Sequence, residues 1–245
     1  MVIRGVTFDW WGTLAVIPRD DESRAMRELR IKRLQETLRN HGMTPDRPTL
    51  YRAYDRQGDL LEAAWAKQQE PSPEQQIHAF LRFARIDARD PRIVAGIGDA
   101  IGGAIVVRPP SLFPHIQEAL ALLEERGLAI GLISNTGRSW GRYLTKVQEG
   151  LGIAAPFRVR VYSDERRIRK PDPRMFEAAA AGLKLKPTEI VHIGDDVIAD
   201  VSGATAVGMR SIWFNTGFWP DATTDKADAE IRDHRDLPKA LDAMT

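Results

Sequence analysis

The chain is predicted to be an α/β protein: a doubly wound parallel sheet interrupted by an inserted group of helices. Three observations predict it. Apolar runs alternate with helical periods through the second half of the sequence. A long, purely helical stretch separates the first apolar run from the second. Polar residues follow the apolar runs repeatedly, as they do where the carboxyl ends of parallel strands line a ligand site.

The elements follow in order. Val2 to Phe8 is the first strand, and Leu128 to Ile133 the next. Between them, Asp20 to His41 has Met26, Leu29, Ile31, Leu34 and Leu38 at largely helical spacing, three acidic residues in its first turn and Gly42 just past its end. Pro48 to Gln69 reads as a second helix, Ser72-Pro73 opens a third through Phe83, and Asp90-Pro91 introduces a fourth. Pro109-Pro110 cannot continue a helix and reads as the return linker, with Pro18 as the outgoing one. The expected division is a core of residues 1–17 and 110–245 and a helical cap of residues 18–109. Helix and strand then alternate: Pro114–Arg126 helix, Leu128–Ile133 strand, Arg138–Gly150 helix, Phe157–Tyr162 strand, Pro173–Gly182 helix, Glu189–Ile193 strand, Val197–Val207 helix, Arg210–Phe214 strand. Pro220 to Asp228 reads as a loop, and no internal repeat is visible.

Composition bounds the function. A length of 245 residues with 43% hydrophobic content suffices for one sizeable core, or for a core with a smaller insertion. Lys plus Arg at 35 against Asp plus Glu at 34 leaves a formal charge of +1, so no global field draws the chain to nucleic acid or to an acidic membrane surface. With no cysteine there is no disulfide, thiolate nucleophile or cysteine metal site. Neither a signal segment nor a bilayer-spanning apolar run is visible, and a cytoplasmic location is expected.

Four groups of polar residues carry the chemistry. Asp9 ends the first apolar run within Phe8-Asp9-Trp10-Trp11-Gly12-Thr13, which presents a nucleophilic or metal-binding carboxylate at a strand tip. Ser134-Asn135, with Thr136 beside them, follows the second strand. Lys170-Pro171-Asp172 precedes a helix, and Gly194-Asp195-Asp196 with Asp200 follows Ile193. Taken singly, each has an ordinary structural role as a helix cap or an acidic helix start. Parallel neighbouring strands would bring Asp9, Ser134-Asn135, Ser163-Asp164 after Tyr162, and Gly194-Asp195-Asp196 to one rim.

In this order the segments resemble the four motifs of the haloacid dehalogenase-like hydrolase superfamily: Asp9 with Gly12 and Thr13, then Ser134-Asn135, then Lys170-Pro171-Asp172, then Gly194-Asp195-Asp196 with Asp200 and Gly203-Ala204. The match spans almost the whole chain, and the family's helical cap is inserted where this sequence places its helices. The resemblance implies a Rossmann-like core and nucleophilic catalysis, with Asp9 attacking phosphorus to give an aspartyl phosphate that water hydrolyses. It also implies Mg²⁺ held by Asp9, the backbone carbonyl of Trp11 and Asp195, with Asp196 or Asp200 in support. Ser134, Lys170 and backbone N–H groups after Asp9 would hold the phosphoryl oxygens, and Asn135 would orient the site. Trp10, Trp11, Gly12, Thr13 and Thr136 are the expected substrate contacts. The implied substrate is a small phosphorylated or halogenated molecule, and the chain is expected to work as a monomer or homodimer.

One departure matters. Phosphatases of this superfamily have a second Asp where this chain has Trp11, and an indole N–H donates but cannot exchange a proton near neutral pH. Three readings follow: a metal-dependent phosphatase that uses a good leaving group such as an acyl or aryl phosphate, or recruits an acid from the cap; a 2-haloacid dehalogenase, whose relatives have an aromatic Tyr at this position; or an impaired protein that binds or regulates. Carboxylates at Asp195 and Asp196 beside Asp9 would repel one another without a cation, which favours the first. An arginine of Arg24, Arg27, Arg30, Arg33 and Arg39 binding a carboxylate would favour the second. His192 reads as a core residue. Asn215 to Trp219 follows the last strong strand without an evident task.

Overall fold

A computed structural model describes residues 2–87 and 90–244. A six-stranded sheet runs in the order β3-β2-β1-β4-β5-β6, with every neighbouring pair parallel. Its strands are β1 (Gly5–Phe8), β2 (Ala129–Ser134), β3 (Phe157–Tyr162), β4 (Ile190–Gly194), β5 (Arg210–Phe214) and β6 (Ala229–Ile231). The helices are α1 (Asp20–Asn40), α2 (Arg47–Trp65), α3 (Pro73–Ala84), α4 (Pro91–Ile101), α5 (Ala104–Val107), α6 (Ile116–Glu125), α7 (Gly141–Gly150), α8 (Ser163–Arg166), α9 (Pro173–Leu183), α10 (Gly203–Ala206) and α11 (Leu237–Asp242). None of the described helices is long and apolar enough to cross a membrane. The expected α/β, doubly wound sheet is what forms.

The chain divides into two compact units. The first comprises Met1–Ile17, Pro110–Asn135 and Gln148–Thr245, and the second Pro18–Pro109 with Thr136–Val147. In the first unit β1, β2 and β4 are buried along their whole length, as strands covered on both faces must be. Phe176, Ala179, Ala180 and Leu183 of α9 pack with Ile133, Val161 and Ile190 of the sheet in one apolar cluster. The strand order reverses at β1, which lies between β2 and β4. The carboxyl ends of β1 and β4 therefore form the edge of a switch-point crevice, where ligands bind in open α/β sheets. Before the chain leaves this unit, Val16 N–H donates to Ser111 O at 2.9 Å and Leu14 O accepts from Phe113 N–H at 2.9 Å, pairing the outgoing and returning segments.

The second unit is held by caps and buried polar groups as well as by apolar packing. Asp46 Oδ1 accepts from Thr49 N–H at 2.7 Å to start α2, while Ser72 and Gln75 form a reciprocal capping box on α3. Residues Thr136–Val147 belong to this unit through a buried polar network. Trp140 Nε1 donates to Gln76 Oε1 at 3.0 Å, and Arg138 Nε donates to Gln57 Oε1 at 2.7 Å with its guanidinium 4.0 Å from the centroid of the Tyr54 ring. Arg30 is buried and donates to Ile101 O, Tyr54 Oη and Ser139 Oγ. Arg27 forms a forked pair with Asp55, and Arg33 donates to Asp99 O at 3.1 Å.

The short helices α5, α8 and α11 were not expected, and two further elements differ from the sequence expectation. The stretch Val197–Val207 is a π-helix at Val197–Ser202 followed by the short α10, because Ser202 Oγ donates five residues back to Val197 O at 3.0 Å and Asp200 turns inward. The short strand β6 lies just past the expected loop, tied to β5 through Asn215 N–H donating to Ile231 O at 2.9 Å.

Candidate active site

Everything in this site lies in the first unit. Phe8 of β1 pairs with Ile193 of β4, and Asp9 N–H donates to Ile193 O at 2.9 Å, so Asp9 and Gly194-Asp195 leave the sheet side by side. Asp9, Asp195 and Asp200 are all buried, and each offers a carboxylate oxygen within 4.8 Å of the others. Lys170 reaches the cluster from the segment before α9, its Nζ 2.6 Å from Asp9 Oδ1 and 2.5 Å from Asp200 Oδ1. Asn135, just past β2, holds the Lys170 peptide from both sides: its Oδ1 accepts from Lys170 N–H at 2.9 Å, and its Nδ2 donates to Lys170 O at 3.3 Å.

Behind this cluster runs a chain that the sequence reading did not foresee. Thr7 Oγ1 lies 2.9 Å from His192 Nδ1, and His192 Nε2 lies 3.1 Å from Asp200 Oδ1. Burial pushes the His192 pKa down, against the pull of Asp200, and favours the neutral ring. A carboxylate only accepts, so the ring proton sits on Nε2 and the Thr7 hydroxyl donates to Nδ1. The signal was present in the register: Thr7 and His192 are directly paired polar residues in two fully buried strands. With period two, Thr7 and Asp9 also share a face.

Electrostatics separate the three carboxyls. Burial, reinforced by the Asp200 charge and only partly offset by Lys170, pushes Asp9 up to about 7. Burial and the charges of Asp200 and Asp9 push Asp195 up to about 8. Burial also opposes ionisation of Asp200, but the Lys170 ammonium and the His192 hydrogen bond outweigh it and hold that carboxyl well below the usual range. Against burial, the two carboxylates beside Lys170 raise its pKa, so it stays charged. One ammonium facing three buried carboxyls leaves a deficit of positive charge, and the donor set is all oxygen. That chemistry fits a hard divalent cation such as Mg²⁺.

Glycines make the approach possible. A Cβ on Gly12, whose φ is +76°, would lie 2.3 Å from the Asp195 carboxylate, and one on Gly194 would lie 2.2 Å from Asp200 Cγ. Trp11 is half-buried immediately before Gly12, its ring edge-on to Trp10 at 6.2 Å. Ser134 is buried at the tip of β2.

Several expected site residues stand elsewhere. Asp196 was expected among the cation ligands, but its Oδ1 accepts from Ile198 and Ala199 N–H, each at 2.8 Å, capping the π-helix, and it is outside the triad. Trp10 was expected to touch substrate, yet its side chain is entirely enclosed. Thr13 is also enclosed, and its hydroxyl has no hydrogen-bond partner among the described residues. Thr136 lies in the second unit, where its carbonyl accepts from Ser139 N–H at 3.1 Å. Two tryptophans were missed as neighbours of Asp195. Trp213 Nε1 donates to its backbone carbonyl at 2.9 Å, and Trp219 Nε1 to its Oδ2 at 3.0 Å.

Residues 3–208 match the family described as haloacid dehalogenase-like hydrolase. The chain belongs to that family. Among relatives of the haloacid dehalogenase-like chain is a phosphoserine phosphatase of Thermus thermophilus, 32% identical over 126 residues, or 51% of this chain and 49% of the relative. Another is a ribulose-1,5-bisphosphate 5-phosphatase of Halopiger xanaduensis, 33% identical over 155 residues, 62% of this chain and 63% of the relative. The alignments thus span about half of the first relative and under two thirds of the second. The fold is shared with a 2-haloacid dehalogenase of Pseudomonas syringae pv. Tomato, at a TM-score of 0.71 and 24% identity with both chains fully covered. It is also shared with a HAD phosphatase of Thermococcus onnurineus, at 0.65 and 22%, covering 98% of each chain.

Proposed function

We propose that this hydrolase is a Mg²⁺-dependent phosphatase of small metabolites, with Asp9 as nucleophile and a preference for substrates whose leaving group departs without a proton. The observation that carries this reading is the buried triad of Asp9, Asp195 and Asp200 against a single Lys170. A haloacid dehalogenation reading has less support: of the five arginines Arg24, Arg27, Arg30, Arg33 and Arg39, Arg27 pairs with Asp55, Arg30 is bound to Ile101, Tyr54 and Ser139, and Arg33 Nη2 donates to Asp99 O. The phosphatases among the relatives point the same way.

Lys170 occupies Asp9 Oδ1, which leaves Oδ2 as the attacking oxygen. That oxygen bonds to phosphorus as the bond to the leaving oxygen breaks, and the leaving group takes the electron pair. Water then attacks the aspartyl phosphate, releasing phosphate and restoring the Asp9 carboxylate. Asp9, Asp195 and the Trp11 carbonyl would hold the cation, whose charge keeps the carboxyls ionised and screens the phosphate from them. Asn135 fixes the Lys170 peptide, and Asp200 shares its ammonium, so Lys170 is pre-positioned toward Asp9 and toward phosphoryl oxygens. Ser134 completes the phosphate cradle.

Trp11 stands in place of the positioned acid, and a missing positioned acid costs about 10²–10⁴ in rate with a poor leaving group. Phosphate release should therefore follow the order acetyl phosphate, p-nitrophenyl phosphate, alkyl phosphates, should need Mg²⁺, and should vanish in Asp9→Asn. Halide release from 2-haloacids with no phosphate release from the panel would replace this reading by dehalogenation.

A further inference from the structure

The loop after β5 brings an exposed aromatic side chain onto the least satisfied carboxylate of the cluster. Its shape is built locally. Asn215 Oδ1 accepts from Gly217 N–H at 3.1 Å, Thr216 Oγ1 from Phe218 N–H at 3.3 Å, and Gly217 takes φ +74°. Trp219 O then accepts from Ala222 N–H at 3.1 Å. The result places the Trp219 indole with its N–H edge 3.0 Å from Asp195 Oδ2, while the side chain remains 45% exposed and Asp195 only 4%. Phe218 stands edge-on to the ring at 4.9 Å on the exposed side of the loop. A tryptophan retained for burial alone would turn its ring inward; this one turns in only its donor.

We propose that Trp219 is a positioning residue for the cation site, orienting the Asp195 carboxylate for a divalent cation. The inference rests on the phosphatase reading and adds a residue to it that lies outside the four motifs. Asp195 is gripped at two points: Trp213 donates to its carbonyl and Trp219 to its carboxylate. The indole stops the carboxylate from rotating while leaving it lone pairs for a cation. An N–H donor adds no charge, so it orients this carboxylate without competing for it as a second lysine would. Groups that orient ligands in this way typically change metal affinity by about 10–100-fold.

The test is Mn²⁺ binding to the whole protein, followed by loss of the free-ion EPR signal, in wild type, Trp219→Phe and Phe218→Ala. Trp219→Phe keeps the aromatic bulk and removes the donor, whereas Phe218→Ala removes exposed aromatic surface from the same loop and leaves the donor. Trp219→Phe should weaken binding by about 10-fold or more, and Phe218→Ala by less than about 3-fold. Thermal melting of each variant without metal keeps unfolding separate from lost affinity. Equal weakening in both variants, or wild-type affinity in Trp219→Phe, would overturn the role of Trp219 while leaving the phosphatase reading intact. No Mn²⁺ binding by the wild type would overturn both.

Discussion

Trp11 is the residue on which substrate choice turns. Restoring a carboxylate with Trp11→Asp should raise turnover of alkyl phosphates by about 10²-fold, toward what a positioned acid is worth, with far less effect on acetyl phosphate. Steady-state kinetics on the two substrate classes check this. Trp11→Ala should shift preference away from substrates with an aromatic or apolar portion, and an unchanged profile would show that the indole is only packing. Asp196 makes the opposite case, since its Oδ1 caps the π-helix by accepting from two backbone N–H groups. Asp196→Ala should cost about 1 kcal/mol of stability through the lost cap and leave Mn²⁺ affinity unchanged. Chemical denaturation and the same EPR titration would measure the two effects.

At the scale of elements, the loop after β1 is as tightly specified as any side chain. Gly12→Ala would ask an L-residue to hold φ +76° and put a methyl group 2.3 Å from the Asp195 carboxylate. Displacing that carboxylate by about 1 Å should cost at least about 10²-fold in kcat, with the circular dichroism spectrum unchanged. The strand-tip residues were legible in the sequence because each follows an apolar run, and parallel pairing then leaves one place for them to meet. The π-helix was not legible. Apolar spacing in Val197–Val207 suits an ordinary helix, and only the inward turn of Asp200 toward Lys170 and His192 shows otherwise. Arg30 was illegible for a related reason. Helical spacing does not show which of the five arginines turns inward, and this one is buried against Ile101, Tyr54 and Ser139, partners up to 109 residues away.

For the whole molecule, the paired carboxyls make stability depend on pH in an unusual direction. Asp9 and Asp195 titrate near 7 and 8 in the fold, well above the ordinary carboxyl value of 3.8. The native state thus binds more protons than the unfolded chain between roughly pH 4 and 8, so metal-free stability must fall as pH rises through that window. Asp200, held low, acts oppositely and loses its contribution only in acid. The melting temperature of metal-free protein should drop by at least about 3 °C from pH 5.5 to pH 8.5, and Mg²⁺ should recover more of it at pH 8.5 than at pH 6. Scanning fluorimetry across that range is the check; a flat profile with and without Mg²⁺ would contradict the electrostatics. The fate of Thr136–Val147 was illegible for a reason of scale, because hydrogen bonds such as Trp140 to Gln76 leave no period in a sequence.

That segment also decides how the protein can be cut. The chain passes between its two units after residues 17, 109, 135 and 147, so the helical unit is built from two separate stretches. Excising residues 18–109 and joining the ends would look like the removal of an insert. It would instead strip Trp140 of Gln76 and Arg138 of Gln57, and leave a buried indole and a half-buried guanidinium without those partners. A minimal core for this hydrolase has to be redesigned between Asn135 and Gln148, not merely trimmed.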